Sequence, residues 1–388
     1  MLVETTICQS TGRIKEYNLL IAEKYSTLIN LVEGVPLDSR VFKHAEIIVN
    51  WSTQVMENDM VLIRAYPEAH DLVVALAGEI AKKKASYLVL MESDESLSTY
   101  LEHADNQTLS LFPRHYKSAL DESDVVILII APSSKRALAD ASSEKLAMRA
   151  RTRESLFDLF LSKRWCDTIH PCDVLAQEAG MNLNEYKDLV YDAILIDWEH
   201  LSKEMSILSK LLNKYQDIHL LGSDTDFYAE TTGRVWMLED GKHNMPSGEV
   251  YVSPLEKSVE GTIYFNIPFL HNGKQVEGVR LQFENGSVVD YSAERGEQTL
   301  KSIIELDDGS RHLGEIAIGM NRGISKYTKN MLFDEKMGDT VHCALGKALK
   351  ECGGENKSAI HVDMVKNMLD GEIIAGGVTI YKRGKFLY

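Results

Sequence analysis

Apolar and polar positions follow two different rhythms along the chain, and the change falls near residue 215. In the first half, short apolar runs alternate with longer amphipathic stretches. Met60 to Arg64 is an apolar run closed by an arginine and reads as a short buried strand. From His70 to Lys84 the residues Leu72, Val73, Leu76, Ala77 and Ile80 recur at helical spacing and form one stripe. Tyr87–Met91 and Val125–Ile130 read as two further strands. Upstream, Val41, Ala45, Ile48, Val49 and Met56 are spaced for one helix face, and Leu2 to Cys8 reads as a short strand. Strands alternating with helices predict a parallel, doubly wound sheet. Residues 135–215 are helical in pattern and rich in charge, with Gly180 ending one helix and Asn182 or Asn184 capping the next.

From about residue 216 glycine and turn signals become frequent and the strands shorten. The candidates are Ile218–Leu221, Arg234–Leu238, Glu249–Val252, Thr262–Asn266, Val279–Phe283 and Ser287–Tyr291. Asn272-Gly273 and Asn285-Gly286 are hairpin signals. A chain of 388 residues exceeds what one hydrophobic core usually serves. The expected fold class is α/β, with an N-terminal doubly wound α/β domain over residues 1–215 and a C-terminal β-rich α+β domain over residues 216–388.

Charge and cysteine usage narrow the partners. A formal net charge of −16 repels phosphate backbones, which argues against nucleic acid and anionic membrane. No apolar run approaches the length of a membrane span, and the first residues lack a basic-then-apolar leader. The 5 cysteines, Cys8, Cys166, Cys172, Cys343 and Cys352, are odd in number and scattered, which points to free thiols in a reducing, cytoplasmic compartment. The segments after two of the expected strands, Ala65-Tyr66-Pro67-Glu68 and Ala131-Pro132-Ser133-Ser134, supply neither a dinucleotide fingerprint nor a P-loop. The first half is therefore read as scaffold or substrate wall. Cys166, His170 and Cys172 lack the spacing and the fourth ligand of a zinc module and are read as structural.

The candidate chemistry lies toward the C-terminus. In Ala359-Ile360-His361-Val362-Asp363-Met364 an extended backbone puts His361 and Asp363 on one side and Ile360, Val362 and Met364 on the other. Alone, this is an ordinary half-buried strand. Its companions are Glu249 after a Pro-Ser-Gly lead-in, Glu315 after Gly314 inside an apolar run, Glu335 beside Lys336, and His342 between apolar neighbours. A glutamate inside an apolar run needs a partner, and a cation is one. Two imidazoles with several carboxylates suit zinc, cobalt or manganese. A set of this size is larger than one tetrahedral ion needs and fits two ions bridged by a carboxylate and a water.

Taken in order, Asn244-Met245-Pro246-Ser247-Gly248-Glu249, Leu313-Gly314-Glu315, Leu332-Phe333-Asp334-Glu335, His342-Cys343-Ala344-Leu345-Gly346 and Ile360-His361-Val362-Asp363 resemble the thermophilic aminopeptidase family, the metallopeptidases typified by aminopeptidases T and S. The resemblance spans roughly residues 40 to 388. It implies a homodimer whose C-terminal domain binds two divalent metal ions and which releases N-terminal residues from peptides. The ligands it implies are Glu249, Glu315, Glu335, His342, His361 and Asp363. Many members carry a tyrosine seven residues after the histidine matching His342; here that position is Leu349, followed by Lys350 where proline is usual. A helical segment would place residue 349 on the face of His342. Two expectations result: an active metallo-aminopeptidase, or a catalytically degenerate homologue serving as a metal-binding or structural dimer.

Overall fold

The computed structural model describes residues 38–388, apart from residues 135, 139 and 140. The expected strand Leu2 to Cys8 lies outside the described residues. The first half supplies β1 (Met60–Ala65), β2 (Ser86–Met91), β3 (Val125–Ile130) and β4 (Arg164–Ile169). The second supplies β5 (Asp217–Gly222), β6 (Thr225–Glu230), β7 (Met237–Glu239), β8 (Asn244–Met245) and β9 (Glu249–Val252). There follow β10 (Glu260–Phe265), β11 (Phe269–His271), β12 (Lys274–Glu284) and β13 (Ser287–Arg295). The chain continues with β14 (Leu313–Gly319), β15 (Thr340–Gly346), β16 (His361–Asn367), β17 (Glu372–Ala375), β18 (Val378–Lys382) and β19 (Lys385–Phe386).

These strands make three sheets. The first runs β2-β1-β3-β4-β8 with every pairing parallel, as the alternating pattern requires. Helices connect its strands: in His70–Lys82 the residues Leu72, Leu76 and Ile80 of the expected stripe are buried. Gly180 ends the helix Asp173–Ala179 in a left-handed conformation, and the Asn182 side chain accepts from the Glu185 N–H at 3.0 Å to start the next. β4 is a correction to the helical reading of residues 135–215. Its polar residues hide the strand from the pattern because their partners lie far off in sequence. Arg164 pairs with Asp59 at 2.7 Å, and Thr168 is 2.8 Å from both the His44 ring and the Met245 carbonyl.

The second sheet has 9 antiparallel strands in the order β11-β12-β10-β6-β5-β17-β18-β19, with β13 pairing β12. Asn272-Gly273 and Asn285-Gly286 form its hairpin turns, with positive φ at all four residues. β12 and β13 outrun the expected strands because their half-exposed ladder continues from Glu284↔Ser287 to Glu277↔Arg295. The expected strand from Arg234 instead starts at Met237: the Arg234 N–H closes a turn onto Thr231, and its guanidinium pairs with Glu256 at 2.7 Å. The third sheet runs β16-β15-β14-β9-β7 and carries the candidate chemistry.

Candidate metal centre

The two faces of the third sheet divide the work. One face carries Val250, Val252, Ile316, Ile318, Val341, Cys343, Leu345, Val362 and Met364, all buried. They are the large apolar residues that anchor the sheet in the core. The registers Ile316↔Val252, Ile316↔Cys343 and Cys343↔Met364 align them in rows. The opposite face carries Glu249, Glu315, His342, His361 and Asp363. There the register sets each ligand-type side chain beside a small residue: Glu249 opposite Gly319, His342 opposite Ala317, Asp363 and Glu315 opposite Ala344, and His361 opposite Gly346. Directly opposed residues on a sheet stand about 5 Å apart and share a face. Alanine and glycine at those places leave the imidazoles and carboxylates room to converge.

Two glycines aim the carboxylates. Gly248 has φ 124°, and a Cβ there would meet the Cβ of Asn321 at 2.9 Å, so the chain enters β9 with Glu249 turned onto the ligand face. A Cβ on Gly314 would meet the carbonyl of Lys347 at 2.2 Å, so this glycine lets β14 close on the chain beyond β15 just before Glu315. Glu335 arrives from outside the sheet, at the end of the short helix Met331–Asp334. Its loop is held by Asp334, whose carboxylate accepts from the Thr328 N–H at 2.6 Å, the Thr328 hydroxyl at 2.9 Å and the Lys329 N–H at 2.7 Å.

The imidazoles are oriented by backbone carbonyls. His361 Nδ1 lies 2.8 Å from the Lys347 carbonyl and His342 Nδ1 lies 3.1 Å from that of Glu335. Each Nδ1–H therefore donates to a carbonyl, and each Nε2 faces the carboxylates, the arrangement that readies histidine for a metal. His361 Nε2 is 3.1 Å from Glu315 Oε2 and 3.4 Å from Asp363 Oδ1. His342 Nε2 is 3.6 Å from Glu315 Oε1 and from Glu249 Oε2, and 3.9 Å from Asp363 Oδ1. Two donor triads result, Glu315–His361–Asp363 and Glu335–His342–Asp363, with Asp363 in both.

Electrostatics show a set held together under tension. Burial lowers both histidines' affinity for a proton, but the carboxylates outweigh it: His342 is raised to about 10 by Glu315, Glu249 and Asp363, and His361 to about 12 by Asp363 and Glu315. Burial pushes Glu249 up to about 7 against the pull of Lys336, and it also raises Glu335. Glu315 goes the other way, because the two imidazoles overcome its burial. Four carboxylates still outnumber the cations that face them. Glu249 Oε2 and Asp363 Oδ1 are buried without a hydrogen-bond partner. Buried carboxylate oxygens without donors are costly unless a cation completes them. The donor set therefore fits divalent metal.

Lys336 belongs to this cluster, although the sequence marked it only as a charge beside Glu335. Its side chain is 2% exposed, and its ammonium donates to Glu249 Oε1 at 2.7 Å and to Glu335. The segment from His342 to Leu349 is not a helix, so the condition for a shared face is not met: His342 stands on β15, and residue 349 follows the strand's end, its N–H bound to the Ser253 hydroxyl at 2.9 Å. Cys166 and Cys172 are buried, the Cys172 thiol lies 3.5 Å from the Pro132 carbonyl, and His170 pairs with Asp71 at 3.1 Å.

A family model described as thermophilic metalloprotease (M29) matches residues 37–386. The chain belongs to the M29 family. M29 membership makes it a metallopeptidase, in accord with the donor set. Among its relatives, aminopeptidase 2 of Geobacillus stearothermophilus is 28% identical over 396 residues, covering 88% of this chain and 94% of the relative. Aminopeptidase T of Thermus thermophilus is 25% identical over 371 residues, covering 83% and 90%. The solved structure of wild-type AmpT from Thermus thermophilus superposes with a TM-score of 0.75 at 23% identity, covering 90% of this chain and 99% of that one. The structure of 2,5-dihydroxypyridine dioxygenase from Pseudomonas putida superposes with a TM-score of 0.60 at 14% identity, covering 91% and 98%. At those identities the two structures show the shared fold; chemistry must be argued from the side chains. Among the described residues no helix is long and apolar enough to cross a membrane.

Proposed function

We propose that this M29 protein is a two-metal aminopeptidase that releases N-terminal residues from peptides. The observation that carries the reading is the pair of donor triads sharing Asp363, with unpartnered oxygens on Glu249 and Asp363. In it, Glu315, His361 and Asp363 would hold one divalent ion, Glu335, His342 and Asp363 would hold the other, and Glu249 would add its remaining oxygen beside His342. Bound zinc, cobalt or manganese supplies an activated water with a pKa near about 7 and a polarised substrate carbonyl.

The chain's own residues supply the rest. The Lys347 and Glu335 carbonyls keep both Nε2 atoms aimed inward. The His361 side chain is 28% exposed and that of His342 1%, so a peptide reaches the site from the His361 side. The surplus of carboxylate gives a peptide's α-ammonium an anionic partner, which confines cleavage to the first residue. In the same reading the protein works as a cytoplasmic homodimer, on peptides with a free N-terminus, with neither nucleic acid nor membrane as partner. The test is a matched peptide pair, one free and one acetylated at its N-terminus. Release of the first residue from the free peptide alone is expected; equal cleavage of both would refute the exopeptidase assignment.

Leu349 favours a second reading, a degenerate homologue that keeps the metal and acts as a binding or structural dimer. The two readings separate in a Leu349→Tyr variant. Release already present in the wild type supports the peptidase. Release that appears only in the variant identifies the natural protein as degenerate, since the resemblance makes position 349 that of a tyrosine donor to the oxyanion, and one such donor is worth about 10²–10³ in rate.

A further inference from the structure

A lysine that is 2% exposed must be paired, because an isolated buried ammonium is strongly disfavoured. Lys336 follows Glu335 directly, and its N–H bonds back to the Phe333 carbonyl as the short helix ends. From there the side chain crosses to β9 and takes Glu249 Oε1 at 2.7 Å while holding Glu335 as well. The other Glu249 oxygen is left free, 3.6 Å from His342 Nε2. Lys336 therefore engages the two carboxylates grouped around His342. It makes no ion pair with Glu315 or Asp363, the carboxylates nearest His361.

The two triads are unequal for this reason. In Glu315–His361–Asp363 the carboxylates that would hold a divalent ion are ion-paired to histidine and not to the lysine. In Glu335–His342–Asp363 the Glu335 carboxylate is already held by the Lys336 ammonium, whose charge would repel an ion bound there. Like charges at such separations in a protein interior cost far more than a factor of ten in affinity before screening and relaxation. We propose that Lys336 is a resident cation that makes the centre load in order: the Glu315–His361–Asp363 position fills first and tightly, and the Glu335–His342–Asp363 position fills only at higher metal concentration. Until then Lys336 neutralises Glu249 and Glu335, which would otherwise be buried uncompensated. The inference rests on the two-metal reading and adds to it an order of filling set by one side chain.

The test is a zinc titration of the full metal-free chain, followed by calorimetry and by metal analysis after dialysis. The wild type should show two steps whose affinities differ by at least about tenfold. His361→Ala should remove the tight step and His342→Ala the weak one. Lys336→Met should tighten the weak step by about tenfold or more and narrow the gap, whereas Lys336→Arg, which keeps the charge, should preserve it. Should the methionine variant fail to fold without metal, Lys336→Gln provides the same neutral comparison with a polar side chain. Uptake of two ions with equal affinity in the wild type, or an unchanged gap in a folded neutral variant, overturns this inference and leaves the two-metal reading standing. Uptake of no zinc overturns the two-metal reading and the inference with it.

Discussion

In the parallel sheet, β1 and β3 are apolar on both faces, as strands covered by helices on each side must be. In the third sheet, β14 and β15 are buried at every position, more completely than β1 or β3, yet only one of their faces is filled with large apolar side chains. The other face holds glycine, alanine and Thr340 beside carboxylate and imidazole. The single charge in β1, Arg64, is fully accounted for: Glu92 lies 2.7 Å away and the Tyr116 ring packs 5.4 Å below the guanidinium. In the third sheet the charges do not close, since Glu249 Oε2 and Asp363 Oδ1 make no hydrogen bond and have only the longer contacts to His342 and His361. Burial is therefore a poor guide to which sheet is scaffold and which is site. The unbalanced polar inventory is the better one.

That contrast predicts which substitutions change chemistry and which change stability. Glu315→Gln removes a charge from the centre and should lower peptide hydrolysis by more than about 100-fold, the upper range seen for residues that merely support a ligand. Its thermal unfolding in metal-free buffer should remain cooperative, and unfolding of the variant at ambient temperature would blur the distinction between the sheets. Leu62→Ala, in the core of the parallel sheet, should cost about 2–5 kcal/mol in denaturant unfolding. The number of ions bound per folded chain should not change; a changed number would show that the first sheet is part of the centre.

Gly248→Ala should cost about 1–3 kcal/mol, because its conformation favours glycine and Asn321 leaves no room for a methyl group. Its readout is mixed by design, with lost stability and weakened metal binding together, since the residue feeds Glu249 into the site. Lost stability with unchanged metal affinity would mean that the turn does not aim that carboxylate.

The smallest effect concerns pH. Burial, with His170 nearby, lowers the pKa of His44 from 6.5 to about 3, and the ring sits 2.8 Å from the Thr168 hydroxyl beside the parallel sheet. The unfolded chain then binds a proton that the folded chain refuses. The stability from neutral His44 is complete above about pH 6.5 and is lost as pH falls toward 3, by at most about 1.4 kcal/mol per pH unit. A His44→Gln variant should show a shallower loss over that window in denaturant unfolding at stepped pH. An unchanged slope would mean that other groups carry the acid response.

Much of this was legible from pattern. The apolar runs of β1, β2 and β3 announced a parallel sheet, and the asparagine-glycine pairs marked their hairpins. The His-x-Asp alternation holds in β16, where Val362 and Met364 are buried on the side opposite His361 and Asp363. Other features depend on residues remote in sequence. β4 was hidden because the partners of Arg164 and Thr168 lie in other parts of the chain. Lys336 carried no signal of its own, since nothing local reveals that Glu249, 87 residues earlier, folds against it. The register that sets Ala317, Ala344 and Gly346 beside the ligand-type residues emerges only when the strands pair.

If the unbalanced carboxylates of the third sheet hold metal that does hydrolytic work, activity must follow the metal. The most direct test is release of free amino acid from a short unblocked peptide, measured on the chelated protein and again after adding zinc, cobalt or manganese, with bound metal quantified in each sample. No release is expected from the metal-free chain, with recovery that tracks metal content. Release that persists in the metal-free protein, or a metal-loaded chain that frees nothing, would contradict it.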